Sequence, residues 1–271
     1  MLDIILLAVV QGLTEFLPVS SSGHLVLLQH LLGSSEGDLF LDVVLHCGTL
    51  GSVLVVYRQD VWRLLRLDAP ARLYILALAV GTLPAVAVGL LLKDVVEAVF
   101  ASPVYAGVGL LVTGAVLLTT RLAPGRGDAP DTWEPRPVPL GKALLVGCAQ
   151  AVAICPGISR SGSTIAASLW LGLARAEAAR FSFLLSVPAI AGALVLHLLD
   201  GDLTTRASGV GLALAAVVAF GVGLVAIRWT TMAVVQKHFW KFSVYVLVLG
   251  AVVVALVLAG VVAVTPAAAT A

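Results

Sequence analysis

Between Gln11 and His24 an apolar N-terminal run is broken by QGLTEFLPVSSSGH, which carries a carboxylate (Glu15), a primary amide (Gln11), three consecutive hydroxyls (Ser20, Ser21, Ser22) followed by Gly23, and an imidazole, and is split by Pro18. Lipid leaves such a segment few conformations. A carboxylate buried in hydrocarbon costs several kcal/mol unless a cation or hydrogen-bond donors meet it. Non-helical backbone at membrane depth is tolerated only where protein covers it or where it lines a polar cavity. The segment therefore reads as a broken helix. Leu2–Val10 runs in, the polar stretch turns, and Leu25–Leu32 runs back to a stop at Gly33. Neither half reaches the roughly 17 residues that a span needs. The pair is a re-entrant element lining a polar cavity, and the rest of the chain is the scaffold that keeps lipid out of it.

Composition supports a membrane setting. Of 271 residues, 60% are hydrophobic and 11% charged, with a mean hydropathy of +1.08. Soluble domains run at about 45–50% apolar and about 25% charged. The expected class is an all-α polytopic membrane protein. A net charge of +1 says nothing about nucleic acid, but the chain has no basic patch interleaved with aromatics, and no nucleic-acid partner is expected. The N-terminus has no basic region before its apolar run and no small-residue cleavage site after it, so no removable signal peptide is expected. Cys47, Cys148 and Cys155 are odd in number and form no CxxC, which points to packing rather than to a disulfide framework or a zinc site.

Six spans follow from the remaining apolar runs: 38–57, 73–92 (with Pro84 inside), 103–120, 181–199, 208–227 and 243–264. Residues 121–139 change character, with five prolines and alternating charges, and read as a surface loop. Residues 140–172 repeat the broken pattern around CPGISRSGST, and the tail to Ala271 is Ala-rich and frayed. The halves resemble each other. A shift of 139 residues lays Gln11 on Gln150, Ser20 on Ser159, Ser22 on Ser161 and Gly23 on Gly162. A shift of 140 lays Val104-Tyr105 on Val244-Tyr245. The expected organisation is a single integral membrane domain over 1–271, with a first repeat (1–122), a cytoplasmic loop (123–139) and a second repeat (140–271). Three spans per half is an odd number, so the second half is inverted, and such folds place their site near the midplane where broken helices meet.

Charge placement sets the orientation. Loops 58–72, 121–142, 173–180 and 228–242 share one side and hold 13 of the 16 basic residues, among them Arg58, Arg66, Arg121, Arg180, Arg228 and Lys237. The opposite side keeps Lys93 and Arg206, and Arg160 lies inside the second broken element. The basic side is cytoplasmic. The two hinges then enter from opposite faces and meet mid-membrane. Trp62, Trp133, Trp229 and Trp240 fall at span edges as an aromatic belt, with Trp170 at the end of the second broken element.

In the second hinge, PGISRSGST flanks Arg160 with Ser159 and Ser161, followed by Gly162, Ser163 and Thr164. Guanidinium offers a planar donor fork, glycines let backbone N–H groups approach closely, and a helix start adds a positive dipole end. This is an anion site suited to phosphate oxygens; the plainer alternative pairs Arg160 with Glu15 for structure alone. In the first hinge, Glu15 and Gln11 are four apart and share a helical face, where a carboxylate and a carbonyl oxygen suit Mg²⁺ or Ca²⁺ bridged by substrate. Glu15 as a mere counter-ion of Arg160 is the rival. Ser21 supplies a nucleophile and His24, three residues on, a base. The hydroxyls can instead cap the following helix, with Ser22 the expected cap, and His24 can be a satisfied structural histidine. Asp42 and His46 are candidates to support the site from the first span, with bonding between helices as the commoner role of such residues. His30, His197 and His238 read as interfacial.

QGLTEFLPVSSSGHL and PGISRSGST, with LHCGTLGSVL and FSFLLSVP, resemble the paired signatures of the undecaprenyl-diphosphate phosphatase (bacitracin-resistance) family across nearly the whole chain. The resemblance implies hydrolysis of the lipid-carrier diphosphate to the monophosphate and inorganic phosphate. It places the enzyme in the bacterial plasma (inner) membrane, with a site opening to the outer side, Mg²⁺ or Ca²⁺ as cofactor, and room for a homodimer. It assigns Glu15 to metal or acid chemistry, Ser21 to nucleophilic attack and His24 to acid–base work. Ser159, Arg160 and Thr164 bind phosphate, with Ser20, Ser22, Ser161 and Gly162 completing the cradle. Many members carry Glu at the place of Gln11, so this chain has one negative charge fewer for a metal. A transporter or flippase of polyprenyl phosphate is the rival function.

Overall fold

The computed structural model describes residues 1–31, 39–92, 95, 103–124, 138–200, 205 and 207–260. Gly33, Lys93, Arg126, Pro130, Trp133, Arg136, Arg206 and the tail beyond 260 lie outside the described residues, as do the side chains of His30 and His197. The described residues form helices and no strand. The first half holds α1 (Leu2–Thr14), α2 (Ser21–Leu31), α3 (Leu39–Val56), α4 (Arg58–Leu64), α5 (Ala69–Leu91) and α6 (Pro103–Thr119). The second holds α7 (Leu140–Val152), α8 (Arg160–Trp170), α9 (Arg175–Asp200), α10 (Gly209–Val235) and α11 (Phe242–Leu258).

Among the described residues, five helical stretches are long and apolar enough to cross a bilayer: Ala69–Leu91, Pro103–Leu122, Arg175–Leu196, Gly209–Val235 and Phe239–Leu258. The sixth expected span exists only if α3 and α4 are counted together, and they bend by 79° at Tyr57. The reason is in the sequence. After the apolar α3 comes RQDVWRL, whose arginines and exposed Trp62 belong at a membrane surface. Many large aliphatic side chains on the outside are bare, Leu83 at 60% and Val217 at 65% among them. Such a surface suits acyl chains and not water. The protein is a multi-pass membrane protein.

Two expected loops are corrected. Residues 173–180 are mostly helix, because α9 starts at Arg175, and α10 continues past 227 to Val235. Arg180 can sit inside a helix because its charge is met. Its guanidinium reaches Asp60 on α4 at 3.2 Å and Glu177 at 3.0 Å, and Tyr74 on α5 donates to Glu177. Arg228 is exposed on the surface of α10, where a long side chain can carry its head to the interface.

The helices pair across the halves. α1 packs on α10 and α7 on α5, while α3 packs on α10 and α6 on α11. Small residues permit the approach: a Cβ on Gly147 would lie 2.3 Å from the Gly81 carbonyl oxygen, and one on Gly12 would lie 2.8 Å from that of Ala219. One core gathers Phe16, Tyr74, Phe181 and Phe183 around the hinges, and a second joins Leu7, Leu41, Leu45 and Ala219 between α1, α3 and α10.

Candidate active site

Both hinges are built alike. α1 ends at Thr14, the chain turns through 15–20, and α2 restarts at Ser21. Ser20 holds a left-handed conformation (φ 69°), which costs a non-glycine residue on the order of 1–3 kcal/mol and survives only where the surroundings enforce it. Its Oγ accepts from the Gly23 amide at 3.3 Å and lies 3.2 Å from Ser22 Oγ. Ser20 thus caps α2, the role expected of Ser22. In the second hinge Ser159 caps α8, with its Oγ accepting from the Gly162 amide at 3.1 Å and lying 3.3 Å from Ser161 Oγ. These are the residue pairs that the 139-residue shift superposes.

Each hinge is clamped by a threonine on a neighbouring helix. Thr113 of α6 donates to the Gly157 carbonyl at 2.8 Å and accepts from the Ser159 amide at 2.9 Å. Thr230 of α10 donates to the Phe16 carbonyl at 3.0 Å. The hinges also touch each other. Ser161 Oγ donates to the Leu17 carbonyl at 3.2 Å, and a Cβ on Gly23 would lie 3.1 Å from Gly157 Cα. Nothing in the sequence signals the two threonines, since a hydroxyl in an apolar helix usually bonds its own backbone or a neighbouring helix.

At the junction Arg160 Nη2 lies 2.6 Å from Glu15 Oε1. The other carboxylate oxygen accepts from Ser21 Oγ at 2.7 Å and from Gln11 Nε2 at 3.2 Å. His46 Nε2 stands 3.9 Å from the same oxygen, beyond hydrogen-bond reach, while its Nδ1 lies 2.7 Å from the Asp42 carbonyl oxygen. Glu15 is buried, and four groups from four helices, α1, α2, α3 and α8, converge on it. Among the described residues at this junction, Arg160 Nη1 and Gln11 Oε1 are buried polar atoms left without a partner. Beside the guanidinium is a cavity of about 140 Å³ lined by Thr14, Glu15, Ser20, Ser21, Ser22, Ala153, Ile154, Ile158, Ser159 and Arg160. That is room for several waters or a small anion.

The structure separates the expected site residues into two groups. Glu15, Ser20, Ser21, Ser22, Ser159 and Arg160 line the cavity. Ser161, Gly162 and Thr164 have their donors engaged elsewhere. Ser161 ties to Leu17 and Gly162 N–H to Ser159, while Thr164 Oγ1 donates to the Arg160 carbonyl at 2.8 Å and lies 2.6 Å from Ser182 Oγ. These three shape the start of α8 and so aim Arg160. His24 also departs from its expected contact. Its Nδ1 lies 2.7 Å from the Ser20 carbonyl oxygen and its Nε2 2.8 Å from Tyr245 Oη, while Ser21 turns to Glu15. The physical reason is the helix start: Ser21 opens α2 beside the carboxylate, whereas the imidazole one turn on reaches back to the hinge backbone.

For a divalent cation, the described residues offer no group of three His, Cys, Asp or Glu side chains. A cage made by the protein alone does not fit. The orphaned Gln11 Oε1, on the amide whose Nε2 donates to Glu15, does fit a cation that shares its shell with substrate oxygens, since hard cations take oxygen ligands and accept phosphates among them.

Residues 4–252 match the family described as bacitracin resistance protein BacA. A protein of Rhodopirellula baltica named undecaprenyl-diphosphatase is 47% identical over 233 residues, covering 84% of this chain and 87% of its own. Its namesake from Desulfatibacillum aliphaticivorans is 42% identical over 275 residues, with 93% and 97% covered. Undecaprenyl-diphosphatase 4 of Bacillus thuringiensis is 39% identical over 258 residues, with 94% and 96% covered. By the length of the match, and by relatives well above 30% identity over most of both chains, this chain belongs to the bacitracin resistance protein BacA family.

Proposed function

We propose that the protein hydrolyses undecaprenyl diphosphate to undecaprenyl phosphate and inorganic phosphate, recycling a lipid carrier and conferring resistance to bacitracin. The observation that carries this is Arg160 Nη1, a buried donor without a partner at the wall of a cavity that also holds Ser21 hydrogen-bonded to Glu15. Relatives named for this activity lend it support.

Arg160 and the hydroxyls of Ser20, Ser22 and Ser159 receive the diphosphate oxygens. Ser21 Oγ attacks the terminal phosphorus. The new Oγ–P bond forms as the bridging P–O bond breaks, and the lipid monophosphate departs. The Ser21 proton passes to Glu15, the carboxylate that already accepts it. Glu15 therefore takes the part of the base, which the sequence spacing gave to His24. Water then attacks the phosphoserine, the Oγ–P bond breaks, and Ser21 regains a proton, with His24 assisting proton transfer. Direct attack by water is the competing version. Glu15 and Gln11 would hold Mg²⁺ or Ca²⁺ together with the diphosphate, and the cation would offset phosphate charge.

The inverted repeat is part of the same proposal. It is supported by the matching caps at Ser20 and Ser159 and by the packing of α1 on α10 beside that of α7 on α5. The basic side faces the cytoplasm and the site opens outward. The test is phosphate release from a C55 diphosphate by purified protein in detergent. Wild type releases phosphate, and Ser21→Ala falls at least about 100-fold if the phosphoserine forms. A Ser21→Ala variant near wild type removes the covalent step and leaves attack by water.

A further inference from the structure

Tyr245 lies in the first turn of α11, in the second half of the chain, and takes no part in the chemistry described so far. Its hydroxyl is 2.8 Å from His24 Nε2, and its ring stacks on the imidazole with centroids 5.7 Å apart and planes 16° from parallel. The other ring nitrogen, Nδ1, lies 2.7 Å from the Ser20 carbonyl oxygen. A carbonyl oxygen can only accept, so Nδ1 carries the hydrogen, and Nε2 of the neutral ring carries the lone pair. The phenol therefore donates to Nε2. Two hydrogen bonds and a stacked face leave the imidazole one tautomer and one ring plane. The two anchors come from opposite halves: the hinge backbone of the first and the last helix of the second.

We propose that Tyr245 is the positioning residue of His24: it fixes the Nδ1–H tautomer and the ring plane, acting on phosphoryl transfer through the imidazole. This rests on the phosphatase function and on His24 assisting proton transfer. The chain carries its own control. Tyr105 is laid on Tyr245 by the 140-residue shift, stands in the first turn of α6, and is equally half exposed, 52% against 51%. The 139-residue shift that aligns the two hinges lays His24 on Ser163, so no imidazole stands at the equivalent place in the second hinge.

The experiment compares Tyr245→Phe and Tyr105→Phe in the full chain in detergent, with undecaprenyl diphosphate as substrate. Phenylalanine keeps the stacked ring and removes only the hydroxyl. Tyr245→Phe is expected to lower kcat by about 3- to 10-fold, the weight of one hydrogen bond, with KM within about twofold, and Tyr105→Phe to leave both unchanged. In protein labelled with ¹⁵N-histidine, the Nε2 signal assigned to His24 by its loss in His24→Asn moves in Tyr245→Phe and stays in Tyr105→Phe. An unchanged kcat, a rise in KM alone, an equal effect of both variants or an unmoved Nε2 signal overturns the proposal. Failure of the phosphatase function is distinguishable, because wild type would then release no phosphate while the nitrogen signal still reported the contact.

Discussion

Arg160 and Glu15 show how one contact serves both stability and chemistry. Each is charged and largely buried, with side-chain exposures of 15% and 7%, so neither can lose its partner cheaply. Arg160→Ala leaves a buried carboxylate uncompensated, a loss of about 3–5 kcal/mol. It also removes the unpartnered donor at the cavity, so phosphate release is expected to fall by about 100-fold or more. Arg160→Lys keeps the charge but not the fork, and recovers more of the thermal unfolding temperature in detergent than of the activity. Gln11→Glu tests the cation. A second carboxylate beside Glu15 should lower the Mg²⁺ or Ca²⁺ concentration for half-maximal phosphate release, titrated after EDTA, and an unshifted titration would remove Gln11 from the metal shell. Most of these residues were legible in the sequence, because a charge or an amide inside an apolar run has few explanations. The proton acceptor for Ser21 was not. Spacing on a helix names neighbours along the chain, whereas Glu15 reaches Ser21 across a turn of non-helical backbone.

At the scale of the element, the hinges are the fragile parts. Gly157 has φ +83°, and a Cβ there would lie 2.1 Å from the Ala106 carbonyl oxygen, a backbone atom of α6 that has no room to yield. Gly157→Ala therefore combines left-handed strain with a clash, and is expected to abolish phosphate release and to lower the unfolding temperature. Gly172→Ala, at φ +76° with open space around it, meets the strain alone and should cost only on the order of 1 kcal/mol. Measuring both variants separates close approach from backbone conformation. Thr113→Val removes the acceptor of the Ser159 amide and the donor to Gly157 together. It should impair activity more than stability, because it loosens the loop that aims Arg160. The break in each helix was readable from Pro18 and from the glycines of PGISRSGST, but the clamps were not, since a threonine hydroxyl in a span carries no sign of which neighbour it meets.

For the whole molecule, the paired packing of α1 on α10 and of α7 on α5 describes two halves that enclose one site. Orientation is testable by single cysteines introduced in a background freed of Cys47, Cys148 and Cys155. Positions 66 and 237 should react with an impermeant maleimide only after inside-out vesicles are made, and labelling of either from outside would reverse the topology. The inverted repeat proposed above is also an architecture of transporters. Phosphate release in detergent is the outcome expected of the enzyme, while movement of unhydrolysed lipid between leaflets of liposomes would assign the crossed hinges to transport.

The sequence alone determined that the chain is helical and embedded in lipid, that two polar breaks interrupt it, and that a carboxylate, hydroxyls, an imidazole and a guanidinium lie in those breaks. Hydrocarbon makes these features conspicuous, because every polar group in it needs a reason. Only the tertiary structure decided which of them meet. It brought Arg160 to Glu15 across 145 positions of chain and Tyr245 to His24 across 221. It bent α3 from α4 and turned Ser161, Gly162 and Thr164 inward to hold the start of α8. Contacts of that separation depend on how helices from the two halves pack, and packing is set by the joint shape of many side chains rather than by any local pattern.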